Sequence, residues 1–124
     1  MDILDELSQT LADRRGADPD TSYVASLYAA GLNRILEKVG EECTEVIVAA
    51  KDADPAADNT DLVNEVADLW FHSMVMLTHL NEDPNQVLQV LRARFGISGH
   101  DEKRERLRRT NKNPRRSNKA PAAE

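Results

Sequence analysis

Two groups of carboxylates have the types and spacing to do chemistry. The first is Glu41, Glu42 and Glu45; the second is Glu65 and Asp68. Each helical residue turns ~100°, so Glu42 lies about 100° and Glu45 about 40° from Glu41. The three carboxylates share one face, and Val39, Cys43, Val46 and Ala50 are predicted to form the core stripe behind it. Like charges at i, i+4 destabilise a helix by a few tenths of a kcal/mol, which a bound cation would offset. In the second group, Asp61, Glu65, Asp68, His72 and His79 fall within about 60° of arc on one polar stripe. Val63, Val66, Ala67, Trp70, Met74 and Leu77 lie behind that stripe, and Leu62, Leu69, Phe71, Val75 and Leu80 cover its flanks. A helix apolar on most sides is buried. Buried carboxylates then need a metal or partners.

If the two helices pack antiparallel across the Asp52–Asp58 loop, Glu41, Glu42 and Glu45 face Glu65 and Asp68. An all-oxygen cage suits hard cations, Mg²⁺ or Mn²⁺. The chemistry implied is phosphoryl or nucleotidyl transfer to water. A ferritin-like di-iron centre would need Glu-x-x-His on two helices, and no such motif occurs. A solvated helix face would account for Glu41–Glu45 taken alone. It fits Glu65 and Asp68 less well, because their flanks are apolar. An anionic substrate also needs cations. Lys38 and Lys51 are the first candidates, followed by Arg34 and the Arg14-Arg15 pair. For Lys38, an ion pair with Glu41 or Glu42 stands beside that role. His72 and His79 are read as structural or as supports behind the ligands, since hard cations prefer oxygen. Cys43 is read as an inert buried thiol, and Trp70 and Phe71 as core.

The elements that must position these residues are helical. Ile3, Leu4, Leu7 and Leu11 make residues 2–14 an amphipathic helix. Thr21 or Ser22 caps a short helix to Ala30 that turns Tyr23 and Leu27 inward. A long helix runs from Leu32 to about Ala53, and Asn59, Thr60 or Asp61 caps another to about Leu80. Asp83 caps a last helix with Pro84 in its first turn and Val87, Leu88, Leu91 and Phe95 as its buried face. Gly96 and Gly99 end the folded region. No strand-like alternation of any length occurs. The expectation is an all-α, up-and-down bundle of four to five helices. At 124 residues with 4% aromatics it is small for a self-contained bundle, so a homo-oligomer that completes the core is expected.

Charge divides the chain. Residues 1–100 carry 7 basic and 18 acidic residues, whereas residues 101–124 carry 9 basic and 4 acidic. The domain is placed at 1–103, and 104–124 is expected to be a basic tail, a short helical extension becoming disordered after about Thr110. No apolar run approaches the ~20 residues of a membrane span. The acidic start is unlike a signal peptide, and one cysteine excludes a disulfide framework and a multi-cysteine zinc site. A soluble cytoplasmic protein is the expectation. A helical interaction module with a nucleic-acid-binding tail is an alternative, but the acidic body would repel a phosphate backbone.

Glu-Glu-x-x-Glu followed on the next helix by Glu-x-x-Asp resembles the MazG-like all-α nucleotide pyrophosphohydrolases. The context resembles most nearly their phosphoribosyl-ATP pyrophosphatase branch. The resemblance is carried by Ser22–Ala25, Gly31–Glu42, Glu45–Lys51, Leu62–His72 and Arg94–His100, and covers residues 2 to about 103. It implies Mg²⁺-dependent hydrolysis of phosphoribosyl-ATP to phosphoribosyl-AMP and pyrophosphate, the second step of histidine biosynthesis, by a homodimer or higher oligomer. By position it implies Glu42, Glu45, Glu65 and Asp68 as metal ligands, and Glu41 as a further ligand or the group orienting the attacking water. Cys43 stands where the family usually has a small residue, and the basic tail is longer than the family pattern. Hydrolysis of other nucleoside triphosphates by the same cage is the nearest alternative.

Overall fold

A computed structural model describes residues 2–96, 104 and 106–109. It is all-α: α1 (Ile3–Asp13), α2 (Tyr23–Ala30), α3 (Leu32–Asp52), α4 (Thr60–His79) and α5 (Asn85–Phe95), with no strand among the described residues. Two compact units are present, Met1–Asn85 and Gln86–Glu124.

The first unit is organised by its caps and its loop. Asp2 accepts the Asp5 N–H at 2.9 Å and starts α1. Of the two cap candidates for α2 it is Ser22 that acts, accepting from the Ala25 N–H at 3.2 Å. Each bond satisfies a donor that the helix start leaves without a partner. Gly31 alone separates α2 from α3, at φ 97°, a conformation that side chains disfavour. Between α3 and α4 the chain reverses, and the reversal is clasped by Asn59. Its Nδ2 donates to the Asp54 carbonyl at 2.9 Å and its Oδ1 accepts from the Asp54 N–H at 3.2 Å. The α4 start is held by Asp58, whose Oδ1 accepts the Thr60 N–H at 3.0 Å.

The core of this unit joins Leu11, Leu27, Ile35, Met74 and Val75, with Leu4, Leu7, Val24, Tyr28, Phe71 and Met76 packed around them. The predicted core stripe of α3 is partly overturned. Cys43 and Ala50 are exposed, Val39 and Val46 are half-buried, and the buried residues of α3 are Ile35 and Glu42. Trp70, expected in the core, is 60% exposed. The cause is common to both helices. Their carboxylate-bearing faces turn toward one another, so the apolar stripes alongside face outward.

In the second unit, α5 has no buried residue, and Val87, Leu91 and Phe95 are exposed rather than forming the buried face expected of them. An apolar stripe on an 11-residue helix cannot bury itself without a packing partner. Arg104 and residues 106–109 are helical, as expected for a short extension. Gly99, His100 and the segment after Thr110 lie outside the described residues.

Truncating Ile35 or Leu11 to Ala, both fully buried, should cost about 2–5 kcal/mol of unfolding free energy. Truncating the exposed Ile3 should stay within about 0.5 kcal/mol. Urea titrations of the three variants measure this ranking, and equal costs would refute the core assignment.

Candidate metal and nucleotide site

The antiparallel pairing of α3 and α4 brings Glu42 and Glu45 opposite Glu65. One carboxylate oxygen from each of the three lies within 4.8 Å of the others. Glu42 is 5% exposed, Glu65 is half-buried and Glu45 is exposed. Glu42 Oε2 and Glu65 Oε2 are buried and have no hydrogen-bond partner. A buried carboxylate oxygen with nothing to bond costs free energy, and two such oxygens on members of one carboxylate cluster are what a hard cation would satisfy. The donor set and its bare oxygens therefore fit Mg²⁺ or Mn²⁺. Glu45 and Glu65 also border a cleft of about 400 Å³ at the loop end of the two helices, lined further by Asp52, Asp58 and Asp61.

The remaining predicted residues are placed differently. Glu41 is exposed and stands outside the group of three, paired with Lys38 at 3.0 Å and with Arg34 at 3.8 Å. Lys38 reaches back to Glu42 Oε1 at 3.4 Å, so it bridges an exposed and a buried carboxylate one turn along the same helix. The hydrogen bond from Lys38 holds the Glu41 carboxyl below its ordinary value, and the same bond raises the Lys38 ammonium above its own. Arg34 pairs with Glu37 at 3.1 Å. Lys51 is exposed in the last turn of α3 and does not line the cleft. Asp68 is exposed and does not join the group of three.

The backbone of Asp68 has a contact that the sequence did not announce. Its carbonyl lies 2.8 Å from Nδ1 of His72, and a carbonyl only accepts, so Nδ1 carries the proton. In the neutral ring Nε2 is then an acceptor, and the Tyr23 hydroxyl, 2.9 Å away, donates to it. His72 is 5% exposed. Its place on the polar stripe pointed to a supporting role, but its partner on α2 could not be read from spacing within α4.

A model of the family described as phosphoribosyl-ATP pyrophosphohydrolase matches residues 4–95, which include α2, α3 and α4 whole, α1 but for Ile3, and every residue of the site. Most of the chain is covered, and the carboxylates that meet in space are those of its two acidic motifs. The chain therefore belongs to the phosphoribosyl-ATP pyrophosphohydrolase family, hydrolases of histidine biosynthesis.

Proposed function

We propose that the protein hydrolyses phosphoribosyl-ATP to phosphoribosyl-AMP and pyrophosphate in a Mg²⁺-dependent reaction, with Glu42, Glu45 and Glu65 holding the cation. The observation that carries the cation assignment is the pair of buried, partnerless oxygens on Glu42 and Glu65. A divalent ion bound there supplies charge neutralisation for the phosphates and acidifies water. The chain's own residues do the rest. Lys38 pairs with one oxygen of Glu42, which leaves its other oxygen for the cation. Asp68 completes the ligand set as the family resemblance implies, from its position one turn after Glu65. Glu41, on the exposed flank, orients the attacking water or accepts its proton. The water oxygen adds at the α-phosphorus, the α–β bridging bond breaks, and pyrophosphate leaves with that electron pair. Lys38, Arg34 and Lys51 are the cations available to the substrate's phosphates. The first two must exchange a glutamate for a phosphate to act.

The protein also acts as a homo-oligomer in this reading. Leu36 and Ile47 on α3, and Val63 and Trp70 on α4, are large apolar side chains left exposed. Leu36, Cys43, Ile47 and Ala50 follow one stripe of α3, and Val63, Ala67 and Trp70 one stripe of α4, as the helical period requires. Exposed apolar surface of this kind is what a second copy covers. Among the described residues, no helix is long and apolar enough to cross a membrane.

Three measurements test these assignments. Glu65→Gln should lower pyrophosphate release from phosphoribosyl-ATP on the order of a hundredfold or more. Without metal the variant should be at least as stable as the wild type, because a buried charge is gone. Added Mg²⁺ should raise the wild-type Tm and leave the variant's unchanged, and an equal rise in both would sink the cation assignment. For the Lys38–Glu41 pair, a lowered carboxyl pKa contributes stability that is complete above its ordinary value of 4.5 and is lost as pH falls through the lowered one. Lys38→Met should therefore move the Glu41 titration midpoint upward in a carboxyl NMR titration, and an unmoved midpoint would remove the pair. Trp70→Glu should shift the wild-type oligomer toward monomer in light scattering, and a wild type already monomeric would exclude the interface.

A further inference from the structure

We propose that Tyr23 is the platform on which the purine ring of the substrate stacks, and that His72 is the residue that positions it. This rests on the phosphoribosyl-ATP reading above and names the base subsite of that same site. Tyr23 is the first residue of α2, fixed behind the Ser22 cap. Tyr23 is 53% exposed although its hydroxyl is anchored on a buried imidazole. Phe71 lies alongside it, near-parallel at 22° with centroids 6.4 Å apart, and the His72 ring meets it edge-on at 5.9 Å. An exposed aromatic held at its polar tip and along its side has little rotamer freedom left to lose on binding.

The hydrogen-bond directions decide what Tyr23 can offer. With Nδ1–H committed to the Asp68 carbonyl, a neutral His72 ring takes the Tyr23 proton on Nε2. The hydroxyl has no proton left for a substrate phosphate. What remains for a ligand is the ring. Its place is also informative. His72 stands about two turns after Glu65 on α4, toward the start of the antiparallel α3, and holds the Tyr23 ring there. Lys38 stands one turn, about 6 Å of helix axis, before Glu42. A nucleotide with its phosphates at the carboxylate group and its base toward the start of α3 meets this ring. The cleft at the other end of the pair offers only Val48, Ala49, Ala53 and Leu62 as apolar surface and no aromatic ring.

Adenosine monophosphate and ribose 5-phosphate share sugar and phosphate and differ by the purine, and neither contains the bond the enzyme cleaves. Titration calorimetry with the full chain should find the monophosphate bound about tenfold more tightly. Tyr23→Leu should reduce it to the affinity of ribose 5-phosphate while leaving the latter unchanged. Tyr23→Phe and Tyr23→Trp, which keep a ring, should each retain at least part of the margin. They carry the test if the leucine variant does not fold. The proposal is overturned by a wild type without the margin, by a margin that survives in Tyr23→Leu, or by its complete loss in the ring-bearing variants. It is equally overturned if Tyr23→Leu weakens both ligands alike or changes the oligomeric state, which would make the ring structural or a contact between copies. A protein that shows the purine margin but releases no pyrophosphate from phosphoribosyl-ATP fails the functional reading and leaves the platform standing.

Discussion

Two carboxylates with buried, partnerless oxygens face each other between α3 and α4, and the rest of the structure is arranged around that contact. Like charges brought together out of water repel, and each loses hydration. Glu42 and Glu65 nevertheless occupy the face where a helix pair would ordinarily place leucine. The packing that compensates is elsewhere in the first unit, where Leu11, Leu27, Ile35, Met74 and Val75 close a core at one end of the helix pair. The Asn59 clasp holds the other end. The carboxylates are thus held by structure on both sides, a preorganisation that suits a hard cation.

This inversion explains where the sequence was legible and where it was not. The helices and the Ser22 cap follow from local rules, because a cap or a helical period is a property of neighbouring residues. Cys43 and Trp70 were misplaced for one reason. An apolar stripe is expected to face the core, and here the acidic stripe faces inward instead, leaving theirs outside. The stripe of α5 met the same limit, since periodicity states which side chains align and not what lies against them. The Tyr23–His72 bond joins residues 49 apart, and no spacing within one helix could reveal it. Glu41 and Asp68 share their helix faces with Glu42, Glu45 and Glu65, yet their carboxylates stand outside that group of three.

That separation assigns different work to carboxylates that look equivalent in sequence. Lys38 bonds Glu41 at 3.0 Å and Glu42 at 3.4 Å, and the two contacts have different consequences. Glu41 is exposed, so its pair is screened and readily exchanged. Glu42 is buried, so its contact with the same ammonium is screened far less by solvent. With one oxygen facing Lys38, its other oxygen is buried without a partner. A phosphate arriving beside Lys38 would therefore draw it first from Glu41, the solvated partner, and would free that carboxylate where a proton acceptor is needed. The same ammonium would keep its contact with Glu42 Oε1, so substrate could enter without breaking that pair.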